Sequence, residues 1–206
     1  RRARREHPTK AKLIETVLEL AGNGPLEVLT VEQVLGVSQI SRGSLYHHFE
    51  DFYHLLEVAE ARRFAKYVDI SIEKMAQILE TSSTKEQARA GLKKSTRVTQ
   101  NPDVEWMRRQ RIMALARASE SIRFHKALGQ EQQRMTDAFT ELIAAAQIKG
   151  LVRPELDPRA VGVLIQAYTI GRVVDDITTN QVDPEGWYAL IDNVADTILG
   201  LPPTVD

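Results

Sequence analysis

Apolar residues recur along this chain at intervals of three and four almost throughout, the spacing of helices with one greasy face. From Thr9 to Gly22 the stripe is Leu13, Ile14, Val17, Leu18 and Ala21, closed by Gly22 and Gly24. Thr30 is the expected N-cap of a second helix carrying Val31, Val34 and Leu35, and Ser41 that of a third carrying Leu45 and Phe49. Together these stripes predict a three-helix core. A long amphipathic helix is expected from Asp51 to about Glu80, offering Leu55, Leu56, Ala59, Ile70, Ile72, Met75, Ile78 and Leu79 for burial. The stretch Thr81-Ser82-Ser83-Thr84 then breaks it and can cap the next helix. Asn101-Pro102, Asp157-Pro158 and Asp183-Pro184 each set a capping side chain before a proline at the first helical position. A long helix from about Glu120 is closed by Lys149-Gly150, and Gly200-Leu201-Pro202-Pro203 closes the last. No strand alternation, internal repeat or low-complexity segment interrupts the pattern, so the fold class predicted is all-α, with about nine helices.

The segment Thr30 to Leu56, TVEQVLGVSQISRGSLYHHFEDFYHLL, has the outline of two short helices around a tight turn followed by the start of another, a helix-turn-helix reader. At about 100° per residue, Leu45 and Phe49 share one face of the second short helix, while Gly43, Ser44, Tyr46 and His47 turn away from it. Hydroxyls, a phenol and imidazoles can bond phosphates or base edges, and Gly43 lets backbone approach closely. In docked domains of this kind the N-terminal part of the recognition helix meets the bases. Here that part holds Ser41, Arg42, Gly43 and Ser44. Arg42 suits a bidentate guanine contact or a phosphate, and Tyr46, His47 and His48 suit phosphates. With Thr30 at the head of the preceding helix, the candidate DNA-binding set is Thr30, Ser41, Arg42, Gly43, Ser44, Tyr46, His47 and His48. A surface helix whose Tyr and His merely cover apolar neighbours is the competing reading of the same octapeptide.

The context resembles the TetR family of bacterial transcriptional regulators. That family's pattern is an N-terminal helix ending in Gly, a Thr-Val pair opening the second helix and a recognition helix ending in Leu-Tyr-x-His-Phe. This chain supplies Leu13 to Gly24, Thr30-Val31 and Leu45-Tyr46-His47-His48-Phe49, so the likeness covers about the first quarter of it. Two departures stand out. The usual turn Ala-Gly-Val-Ser is Ser38-Gln39-Ile40-Ser41 here, and a turn that has adjusted to avoid a positive φ at Gln39 is expected. Where a Lys commonly opens the next helix, this chain has Glu50-Asp51-Phe52; Asp51 is a good N-cap, but the two acids do not replace the Lys as a phosphate clamp.

The resemblance implies a homodimeric, ligand-responsive transcriptional regulator, a repressor released from a palindromic double-stranded operator by an unknown small molecule. It divides the chain into a helix-turn-helix domain with a basic arm, residues 1–50, and an effector-binding and dimerisation domain, residues 51–206. The dimer is expected through the last two helices, which carry Val161, Leu164, Ile165, Tyr168, Gly171 and Val174, then Trp187, Leu190, Ile191, Val194, Ile198 and Leu199. Gly162, Ala167 and Gly171 permit close helix approach. An effector is expected among the helices of the body, with Trp106, Met107, Met113, Phe124, Met135, Phe139 and Tyr168 as lining and Arg111, His125 or Arg172 as an anchor for an acid. Of these, Trp106, Arg111, Phe124, Phe139, Tyr168 and Arg172 form the candidate ligand-binding set. Aromatic and Met residues at helical spacing have core packing as their competing role, and Arg172 with Asp175 and Asp176 reads equally as an internal ion pair.

Charge sharpens this picture. The whole chain is nearly neutral, at a formal −1, yet residues 1–49 hold seven Lys or Arg against five Asp or Glu, and the remainder twenty against twenty-three. DNA contact therefore belongs to the N-terminal end. Arg1, Arg2, Arg4, Arg5, Lys10 and Lys12 against Glu6 make a basic arm able to follow phosphates or enter the minor groove, or else a solvated tail. The lack of an initial Met suggests that the chain begins partway along a longer arm. There is no cysteine, no apolar run approaching the about 20 residues of a membrane span and no signal peptide, so a cytoplasmic protein is expected. His7, His47, His48, His54 and His125 have no metal-ligand spacing, and no nucleophile elbow, P-loop or dinucleotide fingerprint occurs. No catalytic residue, cofactor or metal is assigned. The alternatives are a helical ligand-binding or scaffold protein without operator binding, suggested by Gln39 and Glu50-Asp51, and more remotely a small helical hydrolase or lyase, for which no nucleophile and base can be named.

Overall fold

The computed structural model describes residues 6–202, and these form helices joined by short turns, with no strand among the described residues. In order they are α1 (Pro8–Ala21), α2 (Val31–Ser38), α3 (Arg42–His48), α4 (Phe52–Thr81), α5 (Lys85–Thr99), α6 (Glu105–Ala118), α7 (Ile122–Ile148), α8 (Pro158–Gly171), the single turn α9 (Val173–Asp176) and α10 (Pro184–Leu199). Short 3-10 turns at Leu26–Val28 and Pro102–Val104 complete the path. The all-α expectation holds, with nine helices of seven residues or more.

Caps set most of these boundaries. Thr30 accepts from the Gln33 backbone N–H at 3.3 Å while Gln33 Oε1 accepts from the Thr30 N–H at 2.8 Å, a reciprocal capping box. Ser41 accepts from Ser44 N, Asp51 from His54 N, Thr84 from Gln87 N, Asp157 from Ala160 N and Asp183 from Gly186 N. Asn101 instead caps the 3-10 turn that runs into α6. The first helix starts one residue before its expected place, because His7-Pro8 repeats the cap-then-proline device, with His7 Nδ1 accepting from Thr9 N at 3.3 Å. One helix is shorter than its apolar pattern: α8 ends at Gly171, and the N–H groups of Asp175 and Asp176 both turn back to the Arg172 carbonyl, so Val174 sits on the separate turn α9.

The chain packs as two compact units. The first comprises Arg1–Lys66 with Ala114–Gly129, and the second Tyr67–Met113 with Gln130–Asp206. The core of the first holds Leu13, Ile14 and Val17 from α1, Val34 from α2, Leu45 and Phe49 from α3 and its cap, and Leu55, Leu56 and Ala59 from α4. Leu26, from the 3-10 turn, is fully buried with them. Each of these side chains loses most of its apolar surface to water, worth about 1.5–3 kcal/mol for a Leu, Ile or Phe. That burial, rather than helix propensity, holds helices as short as α2 and α3 in place.

In the second unit α5 packs along α10 through polar contacts. Arg97 grips Asp192 with two bonds, at 3.1 and 2.9 Å, and lies over the Tyr188 ring at 5.1 Å, while Arg89 holds Asp196. Gly162 is used inside the chain: a Cβ there would stand 3.2 Å from Phe139 Cβ, so the glycine lets α8 lie against α7. No helix of the described residues is long and apolar enough to cross a membrane.

Candidate nucleic-acid interface and the buried polar groups

The reader is built from the three-helix core outward. Leu45 and Phe49 anchor the inner face of α3, which leaves Ser41, Arg42, Gly43, Tyr46 and His47 exposed and Ser44 half-buried. Tyr46 keeps 45% of its surface in solvent although it is a large aromatic residue. A Cβ added at Gly43 would meet nothing within 4 Å, so this point of the helix surface is open to close approach. Ser41 and Ser44 bond one another through their hydroxyls at 3.0 Å, besides the cap. Arg42 reaches back across the turn to Glu32 of α2 at 2.7 Å, an exposed pair that water screens. That partner was not anticipated from the sequence, and it holds the guanidinium beside the exposed face. Thr30 is exposed and fully occupied as a cap.

The turn between α2 and α3 has not adjusted to avoid a positive φ, contrary to expectation. Gln39 sits in the left-handed region at φ 55°, ψ 28°, and among the described residues no other non-glycine has a positive φ. Its side-chain amide donates to the Gly36 carbonyl, and its backbone N–H closes α2 on Leu35. The tight turn is thus kept, and Gln bears a steric penalty that Gly would not.

His48 faces inward along the unit rather than out with His47. It is half-buried, 4.6 Å from the His7 ring and 5.1 Å from the His47 ring. Burial first, then the nearby His7, His47 and Lys10, push its imidazole below its ordinary pKa. Lys10 lies over the Phe49 ring at 5.6 Å. The acidic pair after α3 also has an internal partner: Arg123 of α7 pairs with Glu50, with Asp51 at 3.7 Å and with Glu57 at 3.2 Å. Glu6 is held by Arg62, both oxygens at 2.7 Å, whereas Arg1, Arg2, Arg4 and Arg5 of the basic arm lie outside the described residues.

The ligand-binding candidates do not gather around one described cavity. Trp106 is exposed on α6, as are Met107 and Met113, and His125 is exposed on α7. Phe124 is buried in the first unit, with Arg117 over its ring at 5.5 Å, and Phe139 and Met135 are buried in the second. Tyr168 bonds Thr96 through its hydroxyl at 3.4 Å; burial chiefly, with Tyr67 and Asp192 adding, holds its phenol above the ordinary value. Arg172 is buried and donates to the Gln100 carbonyl, not to Asp175 or Asp176, which corrects the ion-pair reading. Asp176 belongs instead to Arg108, whose Nε and Nη2 reach its two oxygens at 2.8 and 2.6 Å, and Asp175 Oδ2 accepts from Val182 N. A groove of about 400 Å³ runs between α4 and α7, lined by Ile72, Ala76, Leu79, Leu142, Ala145 and Lys149 among others, and none of the candidate residues faces it. Arg111, buried on α6, bonds the Tyr67 hydroxyl at 2.7 Å.

Residues 104–183 match the C-terminal domain of SbtR-like transcriptional regulators, a TetR C-terminal domain. That match covers 80 of the chain's 206 residues. The fold is that of solved TetR-family regulators. A TetR-family regulator from Mesorhizobium loti MAFF303099 superposes with a TM-score of 0.69 at 14% identity, over 96% of this chain and 98% of the other. A second, from Rhodococcus sp., gives 0.60 at 22% identity over 93% and 97%, and reduced NemR from E. coli gives 0.62 at 13% over 94% and 99%. No curated protein sequence matches the chain. At 13–22% identity these likenesses show a shared fold. No group of three or more His, Asp or Glu placed to hold a metal occurs among the described residues.

Proposed function

We propose that this chain is a regulator of the TetR family, a homodimeric, ligand-responsive repressor that binds a palindromic operator through α3 and is released by a small molecule. Residues 1–50 are the reader and residues 51–206 the effector-binding and dimerisation domain. The observation that carries the reading is the polar face of α3: Ser41, Arg42, Gly43, Tyr46 and His47 stand exposed on a helix whose other face is locked by Leu45 and Phe49. A short rigid helix with hydroxyl, phenol, imidazole and guanidinium groups on its free side fits a major groove. In this reading Arg42 exchanges Glu32 for a base or a phosphate, Ser44, Tyr46 and His47 bond phosphates, and His48 adds charge behind them when protonated.

The dimer is assigned to α8 and α10. Val163 and Leu164 on α8 and Leu190 on α10 are large apolar residues, each about half exposed at 48%, 45% and 56%. Exposed Ala160, Ala167 and Gly171 leave room beside them for another helix. Tyr188, Ile191 and Leu199 face inward and serve the chain's own core. A second copy covers such a face symmetrically. The reader and the body share α4, so a ligand that prefers one arrangement of that helix shifts the DNA-binding population only by its differential affinity.

Titration of the full chain with a random-sequence duplex at two salt concentrations tests the reader. The expected result is binding that weakens steeply with salt, and weakens again in Tyr46→Ala. A helical scaffold or ligand carrier, the reading suggested by the Arg42–Glu32 pair and by Glu50-Asp51, shows no salt-sensitive binding and no effect of Tyr46→Ala.

A further inference from the structure

Arg111 is 5% exposed on α6, in the second unit. Its Nη1 donates to the Tyr67 hydroxyl at 2.7 Å, and its guanidinium lies 4.2 Å from the centre of the same ring. Its Nε and Nη2 are buried and donate to no acceptor. Other arginines of this helix have carboxylates: Arg108 has Asp176, Arg109 has Glu105, and Arg117 has Glu27 and Glu60. Arg111 has none among the described residues.

Arg108, one turn earlier on α6 and just as buried, shows what this edge of a guanidinium is for. Its Nε and Nη2 hold the two oxygens of Asp176 at 2.8 and 2.6 Å, the side-on fork that matches a carboxylate. Arg111 carries the same Nε and Nη2 edge in a similarly dry place. Burial pushes its pKa down. A guanidinium nevertheless keeps its proton in a protein, so relief comes from a counter-charge and not from neutralisation.

We propose that Arg111 is the anion-recognising residue of the effector site, and that the effector is a small organic carboxylate whose two oxygens take the Nε and Nη2 edge. The inference rests on the ligand-responsive reading above and names its ligand class. Tyr67 of α4 fixes the guanidinium from the other side. In the same unit Tyr168 of α8 bonds Thr96 of α5 through its hydroxyl at 3.4 Å. The Tyr67 hydroxyl beside the guanidinium supplies a further hydrogen bond to the rest of such a ligand. Binding there bears on α4 directly through Tyr67.

The test uses the full chain without DNA and follows the arginine Nε–H signals by NMR, with that of Arg111 identified by its loss in Arg111→Lys. Sodium formate and sodium acetate, small enough to reach a buried fork, are titrated against sodium chloride and inorganic phosphate at equal ionic strength, and against neutral acetamide. The expected result is a saturable shift of the Arg111 signal with formate and acetate, and none with chloride or acetamide. The melting temperature rises with the same two anions in the wild type and not in Arg111→Met, whose own melting temperature is higher because an uncompensated buried charge is gone. An Arg111 signal that responds to formate no more than to chloride overturns the proposal, as does an anion-dependent melting shift that survives Arg111→Met. A response to phosphate at lower concentration than to acetate overturns the carboxylate class. Should Arg111→Met fail to fold, the Nε titration on the wild-type chain decides alone. Formate binding by a chain that binds no DNA defeats the regulator reading and leaves this site standing, while DNA binding without any anion response defeats this site only.

Discussion

At Gln39 the backbone takes a conformation that its side chain disfavours. Left-handed φ costs an L-residue about 1–2 kcal/mol, and glycine loses about 0.5–1 kcal/mol of that advantage to its greater freedom when unfolded. Gln39→Gly is therefore expected to stabilise the protein by about 0.5–1 kcal/mol, read as a higher urea midpoint at unchanged slope; a lower midpoint would show that the bond from its amide to the Gly36 carbonyl outweighs the strain. The family pattern has Gly at this place, so the departure was visible in the sequence. Whether the turn or the residue had yielded was not, because φ is set by how α2 and α3 pack on α1 as well as by local preference. A second residue-scale consequence lies at His48. Its folded pKa is depressed from the ordinary 6.5, by burial and by His7, His47 and Lys10. The unfolded chain then binds more protons over the window below 6.5, so stability is complete above that pH and falls as pH drops through the window. Thermal melts at pH 7.5 and 5.5 are expected to show that loss, and His48→Gln to reduce it; an equal loss in the variant would place the titrating group elsewhere.

Among elements, caps and prolines were the most legible feature, because Asp157-Pro158, Asp183-Pro184 and the Thr30–Gln33 box act within a single turn of chain. Ser41→Ala is expected to cost about 1 kcal/mol through the lost bond to Ser44 N, measured as a lower denaturation midpoint with α3 the first element to lose amide protection. Uniform protection across α1 to α3 would mean that packing on Phe49 holds α3 without its cap. The residues that sequence reasoning missed are long-range partners. Arg123 lies 73 positions from Glu50 and draws the acidic pair into the first unit, and Arg108 takes Asp176 from 68 positions away. Charges spaced so far apart carry no periodic signal, and the pairing of Arg172 with its sequence neighbours was the wrong inference for the same reason. The effector lining was least legible, since Trp106, Met113, Phe124 and Phe139 share helical spacing but divide between surface and core.

For the molecule as a whole, the resemblance to the TetR family lies in the first quarter of the sequence, through Thr30-Val31 and Leu45 to Phe49, while the match to the SbtR-like C-terminal domain falls on residues 104–183. Two separate stretches of chain thus point to one family. The proposed dimer has its own test: Leu164→Glu with Leu190→Glu is expected to convert a dimer to a monomer in sedimentation, with melting still cooperative, since both side chains lie outside the chain's own core. A dimer that survives both changes would remove α8 and α10 from the interface. Two readers held by a dimer meet successive major grooves only when about 34–36 Å apart or a multiple of it. The most direct test of the central claim is therefore selection of bound duplexes from a random library with the purified protein. The account predicts an enriched palindrome whose half-sites are spaced by whole turns of DNA and whose preference at one position per half-site relaxes in Arg42→Ala. No enrichment at low salt by a folded dimer would contradict it.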